Sequence, residues 1–230
     1  MNMHQQAKII VVVPSYNEGA VIGGVVRELK AMYEHVVVID DGSTDQTREV
    51  AEREGATLLV HLINRGQGAA LKTGIEYALQ AGADIIVTYD SDGQHKPEDI
   101  QKLIRPIING ECEVTLGSRF IEKQTNDQVP ALRRMLLRCA VVYTQLTTGL
   151  PLTDTHNGLR AFSKDAAKKI HFQQERMAHA SEILEEIGRK KIPYREVPVN
   201  IFYSPYSIQK GQKFSDFVKI LFKLIIYKIK

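Results

Sequence analysis

At 230 residues, 43% hydrophobic and 25% charged, with a formal net charge of +3, the chain has the make-up of a folded globular protein large enough for one sizeable core. That small charge is no footprint for nucleic acid, and two cysteines, Cys112 and Cys139, without CxxC or Cys/His spacing, exclude a disulfide framework and a zinc site. No run reaches the about 20 apolar residues of a membrane span, and Ile9 to Val13 is too short for a signal-peptide core, so a cytoplasmic chain is expected.

In chain order, β-branched runs at Lys8 to Val13, His35 to Ile39, Thr57 to His61, Asp84 to Tyr89 and Val114 to Gly117 predict strands. Helical spacing between them predicts helices over Val21 to Tyr33, Asp45 to Glu54, Gly68 to Ala81 and Pro97 to Ile108, with Pro97 at the first helical position. Such alternation predicts a parallel sheet flanked by helices. After residue 120 it fades into a long amphipathic stretch, Ala131 to Leu150, and a polar segment, Asp154 to Arg160. A helix around Ser181 to Lys191, a strand-like Tyr194 to Val199 and a basic, apolar tail follow. The expected organisation is one catalytic domain over residues 1–200 and an amphipathic tail over 201–230.

Open parallel sheets bind ligands at the carboxyl edge of their strands. Three polar segments fall there: Pro14 to Glu18, Asp40 to Asp45 and Asp90 to Gln94. Asp90 and Asp92 flank one small residue, and the repulsion between such close carboxylates is relieved by a divalent cation. Mg²⁺ and Mn²⁺ take oxygen ligands of this kind, and Gln94 adds a neutral one. Asp40-Asp41-Gly42-Ser43 reads as a turn and helix cap, with Ser43, Thr44 or Asp45 accepting backbone N–H bonds. One cap does not need three carboxylates, so Asp41 is assigned to a base edge. Pro14 and Tyr16 can wall a flat ring and Glu18 can reach a base or ribose; the alternative is a plain loop and helix start. The glycines of Asn64-Arg65-Gly66-Gln67-Gly68 let backbone approach a substrate and aim helix N–H groups at phosphate. This loop lacks both a Walker ending and GxGxxG spacing. Arg119, after Gly117-Ser118, offers a planar fork either to phosphate or to a surface salt bridge.

Together VPSYNE (13–18), DDGSTD (40–45), NRGQGAA (64–70), DSDGQH (90–95) and GSRF (117–120) resemble the family 2 glycosyltransferases, and most closely their polyprenyl-phosphate members such as the dolichol-phosphate mannose synthases. Asp154-Thr155-His156-Asn157-Gly158-Leu159-Arg160 and Glu196-Val197-Pro198-Val199 are similar to later segments of that family. The resemblance implies a GT-A fold: α/β, Rossmann-like, with a mostly parallel sheet flanked by helices and C-terminal amphipathic helices. It implies that Pro14, Tyr16, Glu18, Ile39 and Asp41 line a nucleoside pocket. Asp90, Asp92 and Gln94 would hold Mg²⁺ or Mn²⁺, and Ser91 and Arg119 would meet the diphosphate. Asp92 and Arg119 are the expected catalytic residues; Asp154, Asn157 and Arg160 are expected on the acceptor side. In the mannose synthases an arginine and a lysine from the tail close over the site. Lys210 falls where that lysine is expected, whereas Ser204 stands in place of the arginine. The expected donor is therefore a UDP-linked glucose or N-acetylhexosamine rather than GDP-mannose.

The implied reaction is an inverting transfer to a polyprenyl phosphate, which gives a lipid-linked monosaccharide. A phosphate with a second pKa of about 6 is largely deprotonated at neutral pH and needs no general base. The alternative acceptor, a sugar hydroxyl of a lipid-linked oligosaccharide or cell-surface polysaccharide, needs a carboxylate, with Asp154, Glu182 and Glu185 as candidates. Glu182, Glu185 and Glu186 read equally well as the solvated side of a helix. In the tail, Phe214, Phe217, Leu221, Leu224 and Ile225 share a stripe while Asp216, Lys219, Lys223 and Lys230 lie elsewhere, a pattern for a helix at a membrane interface or packed on the protein's own core. Arg133, Arg134 and Arg138 among leucines suggest a second membrane contact. The expected setting is the inner face of the cell membrane, and the resemblance implies a small membrane-protein partner and no nucleic acid.

Overall fold

The computed structural model describes residues 7–121 and 141–202, apart from 143, 156 and 177. Lys210, the tail beyond Phe202 and the three arginines at 133, 134 and 138 lie outside them. Strands β1 (Ile9–Ser15), β2 (His35–Asp40), β3 (Thr57–Val60), β4 (Ile85–Thr88), β5 (Val114–Ser118), β6 (Arg160–Ser163) and β7 (Tyr194–Pro198) form one sheet in the order β3-β2-β1-β4-β6-β5-β7. Helices α1 (Ile22–Lys30), α2 (Thr47–Arg53), α3 (Gln67–Gln80), α4 (Glu98–Ile108), α5 (Lys164–Lys169) and α6 (His179–Arg189) cover it. Of the amphipathic stretch expected over Ala131 to Leu150, the described residues 141, 142 and 144–148 are helical.

Strands β1, β2 and β4 read as Val/Ile runs because both faces of the sheet are covered there. Pleating sends successive side chains to opposite sides. Ile10, Val12, Val37 and Ile39 pack with Ala70, Leu71 and Ile75 of α3 in one core, while Val11, Val13, Val36 and Val38 pack with Ile100, Leu103 and Ile104 of α4 in the other. Full burial of each such side chain stabilises the fold by roughly 1.5–3 kcal/mol. Gly74 is what lets α3 lie so close: a Cβ there would stand 2.3 Å from Val12 Cγ1 and 2.6 Å from Ile39 Cδ1.

All neighbouring strands are parallel except around β6, which runs antiparallel to both β4 and β5. Neither β6 nor α5 was expected from the sequence, because four residues, Arg-Ala-Phe-Ser, carry no readable period. Their effect on the rim is large. Since β6 enters where its neighbours end, its first residue, Arg160, pairs with Thr88 of β4 and Leu116 of β5. The segment before it, Asp154 to Leu159, is thereby brought to the carboxyl edge, beside the ends of β1, β2, β4 and β5.

Candidate active site at the carboxyl edge of the sheet

The first two polar segments are laced together. Asn17, in the left-handed region with φ 53°, donates its amide to Ser43 Oγ (2.9 Å) and accepts the Thr44 amide on Oδ1 (2.9 Å). The Glu18 amide donates to Thr47 Oγ1 (2.8 Å), and Asp45 accepts the amides of Gly19 (2.9 Å) and Thr47 (3.0 Å). Of the three residues the sequence left open, Ser43 and Asp45 both accept backbone amides, and the N-cap position of α2 itself falls on Gln46. Asp40, fully buried, accepts the Ser43 amide (3.1 Å) and pairs with Arg48 Nε (2.6 Å). Pro14 and Glu18 are buried, whereas Tyr16 is 43% exposed and stands out from this frame.

Asp41 has a structural task that its motif did not reveal. Its carboxylate accepts from the amides of Arg65 (3.1 Å) and Gly66 (2.6 Å) and from His61 Nδ1 (2.7 Å), whose Nε2 meets Thr73 Oγ1 (2.9 Å). With about four lone-pair directions on a carboxylate, three bonds leave room for one more. The glycine loop also differs from expectation. Its close approach is to its own chain: a Cβ at Gly66 would meet Glu175 O at 2.4 Å, one at Gly68 would meet Gln174 O at 2.1 Å, and the Ala69 amide donates to Glu175 O (3.1 Å). The start of α3 is therefore packed against the segment ahead of α6, which takes up the Ala69 amide. Ile39, expected in a nucleoside pocket, has its side chain sealed in the core beneath α3.

The two aspartates after β4 stand in unlike surroundings. Asp90 accepts from Gln67 Nε2 (3.1 Å) on one oxygen and faces His95 Nε2 (3.3 Å) with the other. Burial pushes its pKa up, but the hydrogen bond and charge of His95, with the charges of Arg160 and His179, outweigh burial and hold it below the usual value. Asp92 accepts only the Gln94 amide among the bonds seen here (3.0 Å). Burial and the charge of Asp90 raise its pKa to about 6. One carboxylate is thus held ionised and the other is penalised by it, a mismatch that an adjacent cation would relieve. No group of three or more His, Cys, Asp and Glu side chains forms a cage among the described residues. Mg²⁺ and Mn²⁺ do not require one where water and substrate phosphate complete the shell, so the pair with Gln94 fits such an ion. Ser91 is buried between the two.

Arg119, 6% exposed, forms a two-pronged pair with Asp154 (Nε to Oδ2 2.6 Å, Nη2 to Oδ1 3.1 Å), the salt-bridge use of its fork but in a buried setting. Asp154, expected on the acceptor side, is in turn fixed from behind by Glu196 of β7, which accepts the amides of Thr153 (2.9 Å) and Asp154 (3.0 Å). Arg160 donates to the Asn157 carbonyl (3.1 Å), and burial lowers its pKa to about 10 against the opposing charges of Asp90 and Asp154. Asn157 is buried, accepts the Leu159 amide on Oδ1 (3.0 Å), and its Nδ2 has no partner among the described residues.

Two of the three acids of α6, Glu182 and Glu186, are engaged by the chain itself rather than forming a solvated face. Glu182 accepts the amides of Gln173 and Gln174 (both 2.8 Å). Glu186, 8% exposed, receives the His171 amide (3.3 Å) and pairs with Lys190 (2.7 Å) and Arg189. Residues missed from the sequence are Gln67, His95 and His179. The first two lay inside recognised motifs without an assigned partner, and only the fold brings them to Asp90. His179 donates Nδ1–H to Arg176 O (2.8 Å), and burial, aided by the charge of Arg160, lowers its pKa to about 4, so it is neutral at pH 7.

A mostly parallel sheet with this rim defines a nucleotide-sugar transferase fold, and comparison with known proteins agrees. Residues 10–171 match the family model described as Glycosyl transferase family 2, and the chain belongs to that family. The UDP-N-acetylglucosamine–dolichyl-phosphate N-acetylglucosaminyltransferase of Methanococcus voltae is 34% identical over 241 residues, covering 96% of each chain. The polyprenol monophosphomannose synthase of Mycolicibacterium smegmatis is 30% identical over 173 residues, 71% of this chain and 64% of that one. Among solved structures, glucosyl-3-phosphoglycerate synthase from Mycobacterium tuberculosis in complex with Mn²⁺, UDP and phosphoglyceric acid superposes with a TM-score of 0.68 at 20% identity, over 90% of this chain and 74% of that one. This likeness establishes the GT-A fold.

Proposed function

We propose that this chain is an inverting, metal-dependent hexosyltransferase that moves a sugar from a nucleotide sugar, UDP-glucose or UDP-N-acetylhexosamine, to a polyprenyl phosphate. The observation that carries the acceptor assignment is the state of the candidate bases. Of the three candidates, Asp154 is paired with Arg119 and Glu182 accepts two backbone amides, which disfavours proton removal from a sugar hydroxyl at these two. A phosphate acceptor arrives already deprotonated. The Methanococcus voltae relative, whose name gives a UDP-linked donor and a dolichyl-phosphate acceptor, supports both halves of the reading.

In this reading Pro14, Tyr16, Glu18 and the remaining lone pair of Asp41 receive the nucleoside, and Asp90, Asp92 and Gln94 hold Mg²⁺ or Mn²⁺. A bound cation supplies positive charge to the diphosphate as it leaves. Ser91 and Arg119 meet that diphosphate, with Asp154 fixing the guanidinium so that no reorganisation is needed as charge grows. Asn157 and Arg160 face the acceptor phosphate. A closing role for the tail, with Lys210, is supported by where the described chain leads: the Phe202 amide donates to Gln94 O (2.8 Å) and its ring lies 4.6 Å from Lys96 Nζ, which sets Phe202 against the loop of Asp90 to Gln94. That tail would meet the membrane surface and a small membrane-protein partner at the inner face of the cell membrane. Among the described residues no helix is long and apolar enough to cross a membrane.

The test is incubation of the full chain with Mn²⁺ or Mg²⁺, vesicles carrying undecaprenyl phosphate, and a panel of UDP- and GDP-sugars. Mass spectrometry should find a monoglycosyl lipid phosphate from a UDP-sugar. Transfer only to longer glycans would overturn the acceptor assignment in favour of a hydroxyl.

A further inference from the structure

The carboxylate of Asp90 is enclosed on three sides by parts of the chain that the nucleotide-sugar reading does not use. Gln67 Nε2, at the first residue of α3, donates to Oδ1 (3.1 Å) and His95 Nε2 approaches Oδ2 (3.3 Å). The third side is Gly158, just ahead of β6. A Cβ there would lie 2.2 Å from Oδ2, 2.4 Å from Oδ1 and 2.5 Å from Cγ. Such distances are far inside van der Waals contact, so only glycine lets the carboxylate lie where it does. Gly158 is itself fixed, since its carbonyl accepts from Thr88 Oγ1 (2.7 Å).

His95 is held as firmly. Its ring is 5% exposed and lies edge-on to Tyr89 at 5.5 Å between centroids, while the Tyr89 hydroxyl donates to the His95 carbonyl (2.6 Å). The Asp90 contact places a proton on Nε2. Nδ1 is buried and without a partner among the described residues. An orientation that strands a ring nitrogen is kept by the bond on the other side.

We infer that Gln67 and His95 are positioning residues that, with Gly158 as a wall, fix Asp90 in one orientation for a divalent cation. Partners of this kind are worth about 10- to 100-fold in metal affinity elsewhere, because they remove the entropy of orienting the ligand. The inference rests on the reading of Asp90 and Asp92 as the cation site.

The test is Mn²⁺ binding to the full chain, followed by electron paramagnetic resonance of the free ion, with no nucleotide and no turnover required. Gln67→Ala removes a half-buried side chain and should fold. It and His95→Ala should each raise the Mn²⁺ dissociation constant about tenfold. His95→Gln, whose amide can donate from near the position of Nε2, should recover most of that loss, and Gly158→Ala should show the largest. Thermal melts separate a folding role, which lowers Tm without touching Mn²⁺ affinity in the folded protein. A folded Gln67→Ala that binds Mn²⁺ as the wild type does, or a His95→Gln no better than His95→Ala, would overturn the positioning role while leaving the cation site standing. A wild type that does not bind Mn²⁺ would overturn both.

Discussion

Asp92 and Asp154 are both acids near the rim, and their neighbours set them to opposite tasks. Burial and Asp90 raise Asp92 to about 6 from an unfolded value of about 3.9. Between those values the native state binds more protons than the unfolded chain, so this group's contribution to stability is greatest below about pH 4 and is lost as pH rises through 6. The metal-free wild type should therefore lose Tm relative to Asp92→Asn as pH goes from 5 to 7, and Mn²⁺ affinity should climb through the same window as the proton leaves. Parallel Tm profiles for the two proteins would refute this. Turnover of Asp92→Ala should fall by at least about 10²-fold, the scale of several kcal/mol of charge stabilisation. Asp154 instead completes a buried pair. Asp154→Ala removes the two-pronged carboxylate partner of the buried Arg119 guanidinium and should lower unfolding free energy by about 3–5 kcal/mol in urea titrations. A loss under 1 kcal/mol would mean that water reaches the arginine.

At the level of elements, two glycines make opposite predictions. Gly74→Ala drives a methyl into Val12 and Ile39 and should destabilise by about 1–3 kcal/mol. Gly24, on the exposed side of α1 with nothing within 4 Å of its would-be Cβ, should gain about 0.5–1 kcal/mol on substitution by alanine. Chemical unfolding of the pair measures both signs. The elements also show what the sequence can convey. Strands β1, β2 and β4 were legible because their Val/Ile runs are long enough to imply burial on both faces, and the rim followed from where those runs stop. β6 was not, since its apolar content is two residues in four and its antiparallel course is set by neighbours far away in the chain. For the same reason Asp90 and Asp92 could be read from spacing, whereas Gln67, His95 and the wall at Gly158 could not. Motif reading also misjudged Gly66 and Gly68, because a need for close backbone approach does not say whether the neighbour is a ligand or the chain itself.

For the whole molecule, the sheet and the tail are expected to separate in function. A chain ending at residue 202 should keep its helical and sheet content and its Mn²⁺ affinity but cease to sediment with vesicles containing anionic lipid. Equal sedimentation of both chains would place the membrane contact elsewhere, among the arginines at 133, 134 and 138. The reversed strand β6 has one more consequence. Gln67, Asp90 and Gly158 come from widely spaced parts of the chain, and the last joins only when β6 slots between β4 and β5. During synthesis the amino-terminal strands can pair early, whereas the Gly158 wall reaches Asp90 only after residues beyond 160 have emerged and docked. On the reading of Asp90 and Asp92 as a cation site, a chain stalled before β6 should carry both aspartates and bind Mn²⁺ more weakly than the full chain.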